Sequence, residues 1–272
     1  MMLIELTKPQ FEKCKSIINE QGQLEVKAIV YGVNPGRIFV DNKEQPTSGI
    51  VWLGDNDGFL FIGDENNEVF NSALNSFIDT FIKIEANKVG LHYFEAIGNH
   101  AGWNETIEKV FSNRSLKTWN QKVYLSQNTT PLTAPKMQER YTVVKITEEL
   151  LQSKDISNVE FLQNKIKESW QSVQTFLNQG IGYCILFKNE IVSVCISRFV
   201  VEKQHAIAIE TLKEHQWKKL GEQVAVAYVN ACLESGLQVY WDCMEDNIPS
   251  VKLAEKLGLQ NTYNYKGYYF AI

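Results

Sequence analysis

The chain has 272 residues and a net charge of −5. This acidic balance, with no stripe of Lys and Arg interleaved with aromatic residues, argues against a nucleic-acid partner. Hydrophobic residues make up 44% and aromatic residues 11% of the chain, which is enough to build buried cores and excludes a disordered protein. The length favours two domains.

The sequence also lacks the patterns of membrane, secreted and metal proteins. No apolar run approaches the roughly 18 residues that span a bilayer, and residues 1–8 lack the basic-then-apolar layout of a signal peptide. The five cysteines show no C-x-x-C spacing and the four histidines are dispersed, so neither a zinc site nor a disulfide framework is predicted. We therefore expect a cytoplasmic protein without a metal, whose cysteines are small buried hydrophobes.

The first half of the chain predicts a helix followed by strands. Apolar spacing predicts mostly helix over residues 1–25, and β-rich composition predicts a strand at 26–31, closed by a turn at 32–36. The further predicted elements are a strand at 37–40, a hairpin of 49–53 and 59–62 joined by 54–58, a helix over 69–84, a strand at 91–94, a helix at 103–111 and a strand at 116–125.

The second half follows a polar segment, 126–135, which holds two prolines and reads as a linker, with the domain boundary near 126–137. This segment predicts domains of residues 1–130 and 138–272. The second half predicts the order β-α-α-β-β-β-α-β-α-β, with strands at 141–146, 183–187, 191–198, 205–211 and 237–243, helices within 147–178 and at 222–229 and 249–257, and an aromatic strand at 263–270.

One stretch of the second half has the layout of an anion site. The strand 207–211 leads through a short loop into the helix that begins near residue 222. Such a loop exposes free N–H groups, and a helix N-terminus adds the positive end of its dipole. The stretch therefore predicts a diphosphate-binding site.

The same stretch resembles a family motif. Gln216-Trp217-Lys218-Lys219-Leu220-Gly221 is similar to the pyrophosphate loop of the GNAT acetyltransferase superfamily, Gln/Arg-x-x-Gly-x-Gly/Ala. The stretch 247–259, with Leu-Ala-Glu-Lys-Leu-Gly at 253–258, is similar to the second signature of that superfamily. Together with Trp-Asp-Cys at 241–243, it resembles in particular the zwittermicin-resistance-like branch, which carries an extra N-terminal domain.

The resemblance implies a fold. It implies an α/β (α+β) chain of two tandem GNAT-like domains, each with a mixed, mostly antiparallel sheet flanked by helices. A weak internal repeat agrees with two similar domains, since Gly-Leu at 90–91 recurs at 236–237 and the same order of predicted elements follows each copy. The first domain is expected to be degenerate, because its counterpart loop at 63–68 is acidic and would repel a diphosphate. That domain would serve as a scaffold or as one wall of the acceptor site.

The resemblance also implies acetyl-CoA as the co-substrate, held by the loop and by the edge of the 207–211 strand. The residues expected to bind it are Ile209, Thr211, Gln216, Trp217, Lys218, Lys219, Leu220, Gly221, Glu222, Asn247 and Ser250. Two simpler interpretations stand beside this one. The loop could be an ordinary connection between a strand and a helix, and Asn247 could cap the helix that follows it.

Two positions depart from the family pattern. Lys219 stands where the motif has its first Gly, which matters if that position requires a positive φ. Ala254 stands where many members have the Tyr that protonates the departing thiolate. Tyr265 and Tyr268 are therefore the candidate acids, although the aromatic strand that carries them is also typical of edge packing.

Glu210 is the candidate general base, because it lies on the strand beside the expected thioester; the alternative is a solvent-facing strand residue. The implied function is an N-acetyltransferase that moves an acetyl group from acetyl-CoA to the amine of a small molecule by direct attack in a ternary complex. The alternative is a non-catalytic acyl-CoA sensor or interaction protein. Monomer and homodimer are both left open.

Overall fold

The computed structural model describes residues 3–54, 58–127 and 130–272. The chain divides into two compact units, one of Met1–Gln121 with Asn264–Ile272 and one of Lys122–Tyr263. The sequence-based division assigned the last residues of the chain to the second domain. In the structure they belong to the first unit, because they add a strand to its sheet.

The first unit alternates strands and short helices. Its elements are β1 (Ile4–Glu5), a 3-10 helix (Lys8–Ser16), α1 (Leu24–Val30), β2 (Arg37–Val40), β3 (Ser48–Trp52), β4 (Gly58–Gly63), α2 (Glu68–Phe77), a π-helical turn (Ile78–Ile82), α3 (Lys83–Lys88), β5 (Tyr93–Gly98) and α4 (Trp103–Val110). The strands β6 (Lys117–Ser126) and β12 (Leu259–Ala271) have residues in each of the two units.

The sheet of the first unit runs β1-β2-β3-β4-β5-β12. All neighbours pair antiparallel except β4 and β5, which are parallel. Each face is covered by its own apolar cluster, one with α2 and α4 and the other with α1 and the 3-10 helix. Gly267 on β12 faces the ring of Trp119, which a Cβ would approach to 2.2 Å, so only glycine fits this position.

One element of this unit was predicted wrongly. Residues 26–31 were expected to form a strand, but they lie in the helix Leu24–Val30 and its C-cap. Five of the seven residues of α1 are buried, namely Leu24, Val26, Ala28, Ile29 and Val30. A helix buried on nearly all sides shows no amphipathic period, so its β-branched composition is typical of a strand as well. The preceding region is a 3-10 helix and a short strand rather than a long α-helix.

The second unit has the same alternation with longer strands. Its elements are β7 (Tyr141–Lys145), α5 (Glu148–Gln152), α6 (Val159–Lys167), α7 (Val173–Gln179), β8 (Gly182–Phe187), β9 (Glu190–Val201), β10 (Gln204–Thr211), a 3-10 turn (Lys213–His215), α8 (Leu220–Glu234), β11 (Gln238–Met244) and α9 (Ile248–Lys256).

The sheet of the second unit runs β11-β10-β9-β8-β7. Its pairs are antiparallel except β10 and β11, which are parallel. Three antiparallel pairs followed by one parallel pair occur in the same order in the first unit, β1 to β5. Each unit is thus a mixed, mostly antiparallel sheet flanked by helices, as predicted.

The segment between β6 and β7 is held against the second unit. The N–H of Leu132 donates to Asn230 Oδ1 at 2.7 Å, and Asn230 Nδ2 donates to the Leu132 carbonyl at 2.9 Å. Leu132 and Met137 also pack against the apolar core. The predicted linker is therefore anchored on α8 over its described part, while Asn128 and Thr129 lie outside the described residues. The predicted hairpin connection at Asp55, Asn56 and Asp57 lies outside them as well.

The five cysteines are all buried, as the sequence predicts, and each is a free thiol. Across residues 3–54, 58–127 and 130–272, no helix has the length and apolar composition to cross a membrane.

Candidate functional site

The strands β10 and β11 of the second unit separate along their length. They pair only over Gln204–Ala206 and Gln238–Tyr240, although β10 continues to Thr211 and β11 to Met244. A bulge between Ala206 and Ile207 shifts the register of β10 against β9 where the parallel pairing ends. A gap therefore opens between the two strands at their carboxyl ends.

The edge of β10 that faces this gap can be read from its pairing. The N–H of Leu212 donates to the Val192 carbonyl on β9 at 2.9 Å. Because main-chain groups of successive residues point to opposite edges of a strand, those of Ile209 and Thr211 point away from β9, toward the gap. Such an edge can hydrogen-bond the amides of an extended ligand by strand addition.

The loop after β10 ends at a helix N-terminus. The first intrahelical bond of α8 runs from Gln223 N–H to the Lys219 carbonyl at 3.0 Å. The N–H groups of Leu220, Gly221 and Glu222 precede that bond and so have no partner within the helix. Such N–H groups, together with the positive end of the helix dipole, favour an anion.

Two residues of the loop adopt a left-handed conformation. Trp217 has φ +63° and Lys219 has φ +61°. The position of Lys219 therefore does require a positive φ, which explains why the family motif has Gly there. Gln216 fixes the start of the loop, because its Nε2 donates to the Thr211 carbonyl at 3.1 Å. His215 fixes it further through a 3.1 Å contact between its Nδ1 and the Tyr141 hydroxyl.

The loop, the strand edge and the start of α9 enclose one cavity of about 680 Å³. Its lining comprises Ile209, Thr211, His215, Gln216, Trp217, Lys219, Leu220, Gly221, Glu222, Asn247 and Pro249. All of the residues predicted to bind the co-substrate line this cavity except Lys218 and Ser250. His215 also lines the cavity and was not predicted, because no motif position marks it.

Gly221 keeps the cavity open at the helix N-terminus. A Cβ at this position would lie 3.7 Å from Thr211 Oγ1 and 3.9 Å from Ile209 Cγ2, in the space between helix and strand. The absence of a side chain therefore leaves a cradle that a diphosphate could approach closely. The donors, the cradle and the strand edge together have the chemistry to hold a ligand with a diphosphate and an extended, amide-containing arm.

The residues at the start of α9 combine structural and lining roles. Asn247 caps this helix by accepting from the Ser250 N–H at 3.3 Å, and it also lines the cavity. Ser250 Oγ accepts from Trp241 Nε1 at 3.0 Å, so its hydroxyl holds β11 against α9. Ser250 therefore positions β11 against α9 and is not among the residues that line the cavity.

Two charged residues of the loop and the first turn of α8 contact other groups of the protein. Glu222 lies 2.6 Å from Lys256, which offsets a negative charge that would otherwise face a diphosphate. Lys218 donates to the Glu214 carbonyl and so folds back onto the 3-10 turn. Lys219 is the cation of the loop that lines the cavity.

Glu210 lies on the other face of the sheet. Since Ile209 and Thr211 line the cavity, strand alternation places the Glu210 side chain opposite. Its carboxylate is half exposed, 46%, and lies 2.7 Å from Lys165 of α6. Burial alone would lower the pKa of Lys165, but hydrogen bonds to Glu210 and Glu168 outweigh it and raise that pKa. Lys165 could not be predicted from the sequence, because helix α6 carries no motif.

Tyr265 and Tyr268 are the candidate acids. Tyr265 and Tyr268 belong to the first unit, whereas the cavity belongs to the second. Tyr268 is fully buried and donates to Glu108 at 2.9 Å, and its pKa is raised mainly by burial and by that bond. Tyr265 packs against an apolar cluster of the first unit. Their acid role stays a prediction, and Ala254 is a fully buried core residue of α9.

The corresponding strands of the first unit do not separate in this way. β4 and β5 pair from Gly58 to Phe61, and the Asn99 N–H then donates to the Phe61 carbonyl at 2.9 Å. The pairing therefore runs almost to the end of β4 at Gly63. The loop that follows carries Asp64 and Glu65, and the expectation that these carboxylates repel a diphosphate stays a prediction.

Comparisons with known proteins identify a family model and a relative for this chain. A family model described as GNAT acetyltransferase matches residues 15–268. The uncharacterized N-acetyltransferase YdfB of Bacillus subtilis (strain 168) is 24% identical over 270 residues, 98% of each chain.

Solved structures share the fold. A GCN5-related N-acetyltransferase-like protein from Streptococcus suis 89/1591 has a TM-score of 0.67 at 19% identity, covering 97% of this chain and 99% of the other. A tandem GNAT protein from the clavulanic acid biosynthesis pathway has a TM-score of 0.60 at 9% identity, covering 99% and 98%.

Proposed function

The chain belongs to the GNAT acetyltransferase family, and from this premise we propose that its second unit transfers an acetyl group from acetyl-CoA to the amine of a small molecule. The observation that carries the proposal is the separation of β10 from β11 beside the cavity at the N-terminus of α8. The gap offers a place for a thioester arm, and the helix terminus offers a place for a diphosphate.

The roles of the residues follow from where they lie. The main-chain edge at Ile209 and Thr211 would hold the amides of the arm. The N–H groups of Leu220 and Gly221 would hold the diphosphate, with Lys219 adding positive charge. Acetyl-CoA, when bound, supplies an activated acyl carbonyl, so the protein needs to orient and deprotonate the amine rather than activate the acyl group.

Glu210 is the residue that would accept the proton of the attacking amine. It lies on β10 next to the gap, on the face opposite the cofactor cavity, so the amine would approach from the side of α6. A carboxylate within hydrogen-bond reach of an amine can serve as its general base. Its ion pair with Lys165 fixes its position while leaving about half of the side chain exposed.

Direct attack in a ternary complex is favoured over a covalent acyl-enzyme. A covalent route would require an accessible nucleophile. The one cysteine on the two strands that border the gap is Cys243 of β11. This thiol is buried, and burial raises its pKa, which disfavours the reactive thiolate.

Two measurements, made one after the other, test the proposal. Calorimetric titration with acetyl-CoA should show binding, and the absence of binding at millimolar ligand would contradict the cofactor assignment. A panel of small amines incubated with acetyl-CoA should then include acceptors whose acetylated products appear by mass spectrometry. A nucleic-acid or membrane partner is not part of this proposal, in keeping with the net charge of −5.

A second candidate function is an acyl-CoA sensor or interaction protein without turnover. The buried Ala254 favours it, because α9 carries no phenol that could protonate a departing thiolate. Binding of acetyl-CoA without product from any amine in the panel would favour this candidate over the enzyme.

A further inference from the structure

Trp217 combines two features that are unfavourable in the free protein. Its side chain is 94% exposed, the largest exposure among the exposed large hydrophobic residues of the described chain. Its backbone has φ +63°. This left-handed conformation is unfavourable in free energy for an L-residue with a bulky side chain. An exposed indole held on a strained backbone indicates a role that the fold alone does not explain.

The position of Trp217 indicates what the indole meets. It lines the same cavity as Gly221 and Leu220, whose N–H groups form the anion site at the start of α8. In CoA, the adenine ring is separated from the diphosphate only by the ribose. A ligand whose diphosphate lies at the helix terminus therefore carries its base to the rim of this cavity, where Trp217 stands.

The chemistry of the side chain suits a base. Aromatic side chains stack on nucleic-acid bases regardless of base identity, because every base offers a π-face. The indole is also the largest aromatic surface available to a stack. The neighbouring Lys219 adds positive charge beside the phosphates, and Glu222 is paired with Lys256, so the rim favours an anionic nucleotide.

We infer that Trp217 is the base-stacking residue of the CoA site, binding the face of the adenine ring. The inference rests on the proposed function in that it takes the cavity to be the CoA site. It goes further by assigning one residue to the nucleotide end of the ligand, away from the reacting thioester.

Trp217 also supplies its own spectroscopic probe. Of the other tryptophans, Trp119 is partly buried and the rest, Trp52, Trp103, Trp170 and Trp241, are buried. The red edge of the protein's emission should therefore come mainly from Trp217, and stacking on adenine should quench it. Trp119→Phe is the matched control, which should leave the quenching by CoA unchanged.

The test compares CoA with pantetheine, which has the same arm but neither the diphosphate nor the nucleotide, and it compares the loss of the ring with its replacement by Phe. We expect Trp217→Ala to raise the Kd for CoA by about 5- to 100-fold and to leave the Kd for pantetheine within about threefold, as measured by calorimetry. Trp217→Phe keeps an aromatic ring and should retain most of the affinity for CoA while losing the fluorescence signal. This pattern supports the stacking role.

Three outcomes would overturn the inference. An unchanged Kd for CoA in Trp217→Ala contradicts the stacking role. An equal loss of CoA affinity in Trp217→Ala and Trp217→Phe means that Trp217 only shapes the loop that holds the diphosphate, because Phe keeps a ring that can stack on adenine. Stronger quenching by an adenine oligonucleotide than by CoA would point to a nucleic-acid ligand instead. The proposed function fails separately, when the wild-type protein binds CoA with Trp217-dependent quenching but acetylates no amine.

Discussion

Lys165 of α6 lies 2.7 Å from Glu210 of β10, and the same ammonium lies 3.0 Å from Glu168. One cation thus holds two carboxylates beside the end of the strand that would carry the thioester. The two carboxylates differ in one respect, since only Glu210 is part of β10. They therefore form a natural pair of a test residue and its control.

We expect Glu210→Gln to lower kcat for amine acetylation by about 100-fold or more, because the amide cannot accept the proton of the amine. The Kd for acetyl-CoA should hold within about twofold, since the side chain lies on the face opposite the cavity. Steady-state rates and calorimetry measure the two quantities.

Glu168→Gln is the matched control for that experiment. It removes the other partner of Lys165 and should change kcat by no more than about threefold. If Glu168→Gln and Glu210→Gln lower kcat equally, or if Glu210→Gln leaves the pH profile of kcat unchanged, the base lies elsewhere.

Gly221 should tolerate a methyl group but not a large side chain. Gly221→Ala places Cβ at ordinary contact distances of 3.7 and 3.9 Å and favours the helix by up to about 1 kcal/mol, so the melting temperature should hold or rise. Gly221→Leu would extend into the cavity and should weaken acetyl-CoA binding by at least about tenfold. Equal affinities of Gly221→Leu and wild type would place the diphosphate elsewhere.

The two roles of Lys219 can be separated by two substitutions. Lys219→Gly removes the charge and relieves the left-handed strain at φ +61°, whereas Lys219→Ala removes the charge alone. We expect Lys219→Gly to be more stable than Lys219→Ala by about 0.5–1 kcal/mol in urea unfolding. Both should bind acetyl-CoA more weakly than wild type by a similar factor, and affinity as strong as wild type in both would show that the ammonium does not contact the ligand.

His205 should make the stability of the protein depend on pH. It is buried, its Nδ1 lies 2.9 Å from Ser197 Oγ, and burial lowers the pKa of the imidazole to about 4. Between pH 6.5 and 4 the unfolded chain binds a proton there that the folded chain does not. The stabilisation is therefore complete above pH 6.5 and decreases as the pH falls toward 4, by about 3 kcal/mol in all.

Urea unfolding at pH 7.5 and at pH 5 measures this effect. His205→Gln can still hydrogen-bond Ser197 but does not titrate, so the difference in unfolding free energy between the two pH values should shrink. An unchanged difference in this variant would assign the pH dependence to other groups.

Much of the second unit could be predicted because its loop and strands have strong local signatures. The run from Gln216 to Gly221 predicted a loop between a strand and a helix, which the structure shows, and the departure at Lys219 correctly raised the question of a positive φ. The anion site at this loop stays a proposal. Lys165 could not be found in this way. Its contact with Glu210 joins residues 45 positions apart, and only the packing of α6 on the sheet brings them together.

The first unit was harder to predict for a related reason. Residues 26–31 are rich in apolar and β-branched residues because the short helix α1 is buried, and burial removes the period that distinguishes helix from strand. The aromatic strand near the C-terminus was predicted, but its place was not. Phe270 and Tyr268 pack in the core of the first unit, a long-range contact that composition does not record.

The burial of all five cysteines has a consequence for measuring the reaction. Burial raises the pKa of Cys14, Cys184 and Cys232 to about 12, and it raises those of Cys195 and Cys243 as well. Chromogenic disulfide reagents develop colour when they react with thiolates. The folded protein should therefore react slowly with such a reagent and contribute little background absorbance. Free CoA released during turnover can then be followed continuously by the same reagent, and a slow rise without substrate would report unfolding of the protein.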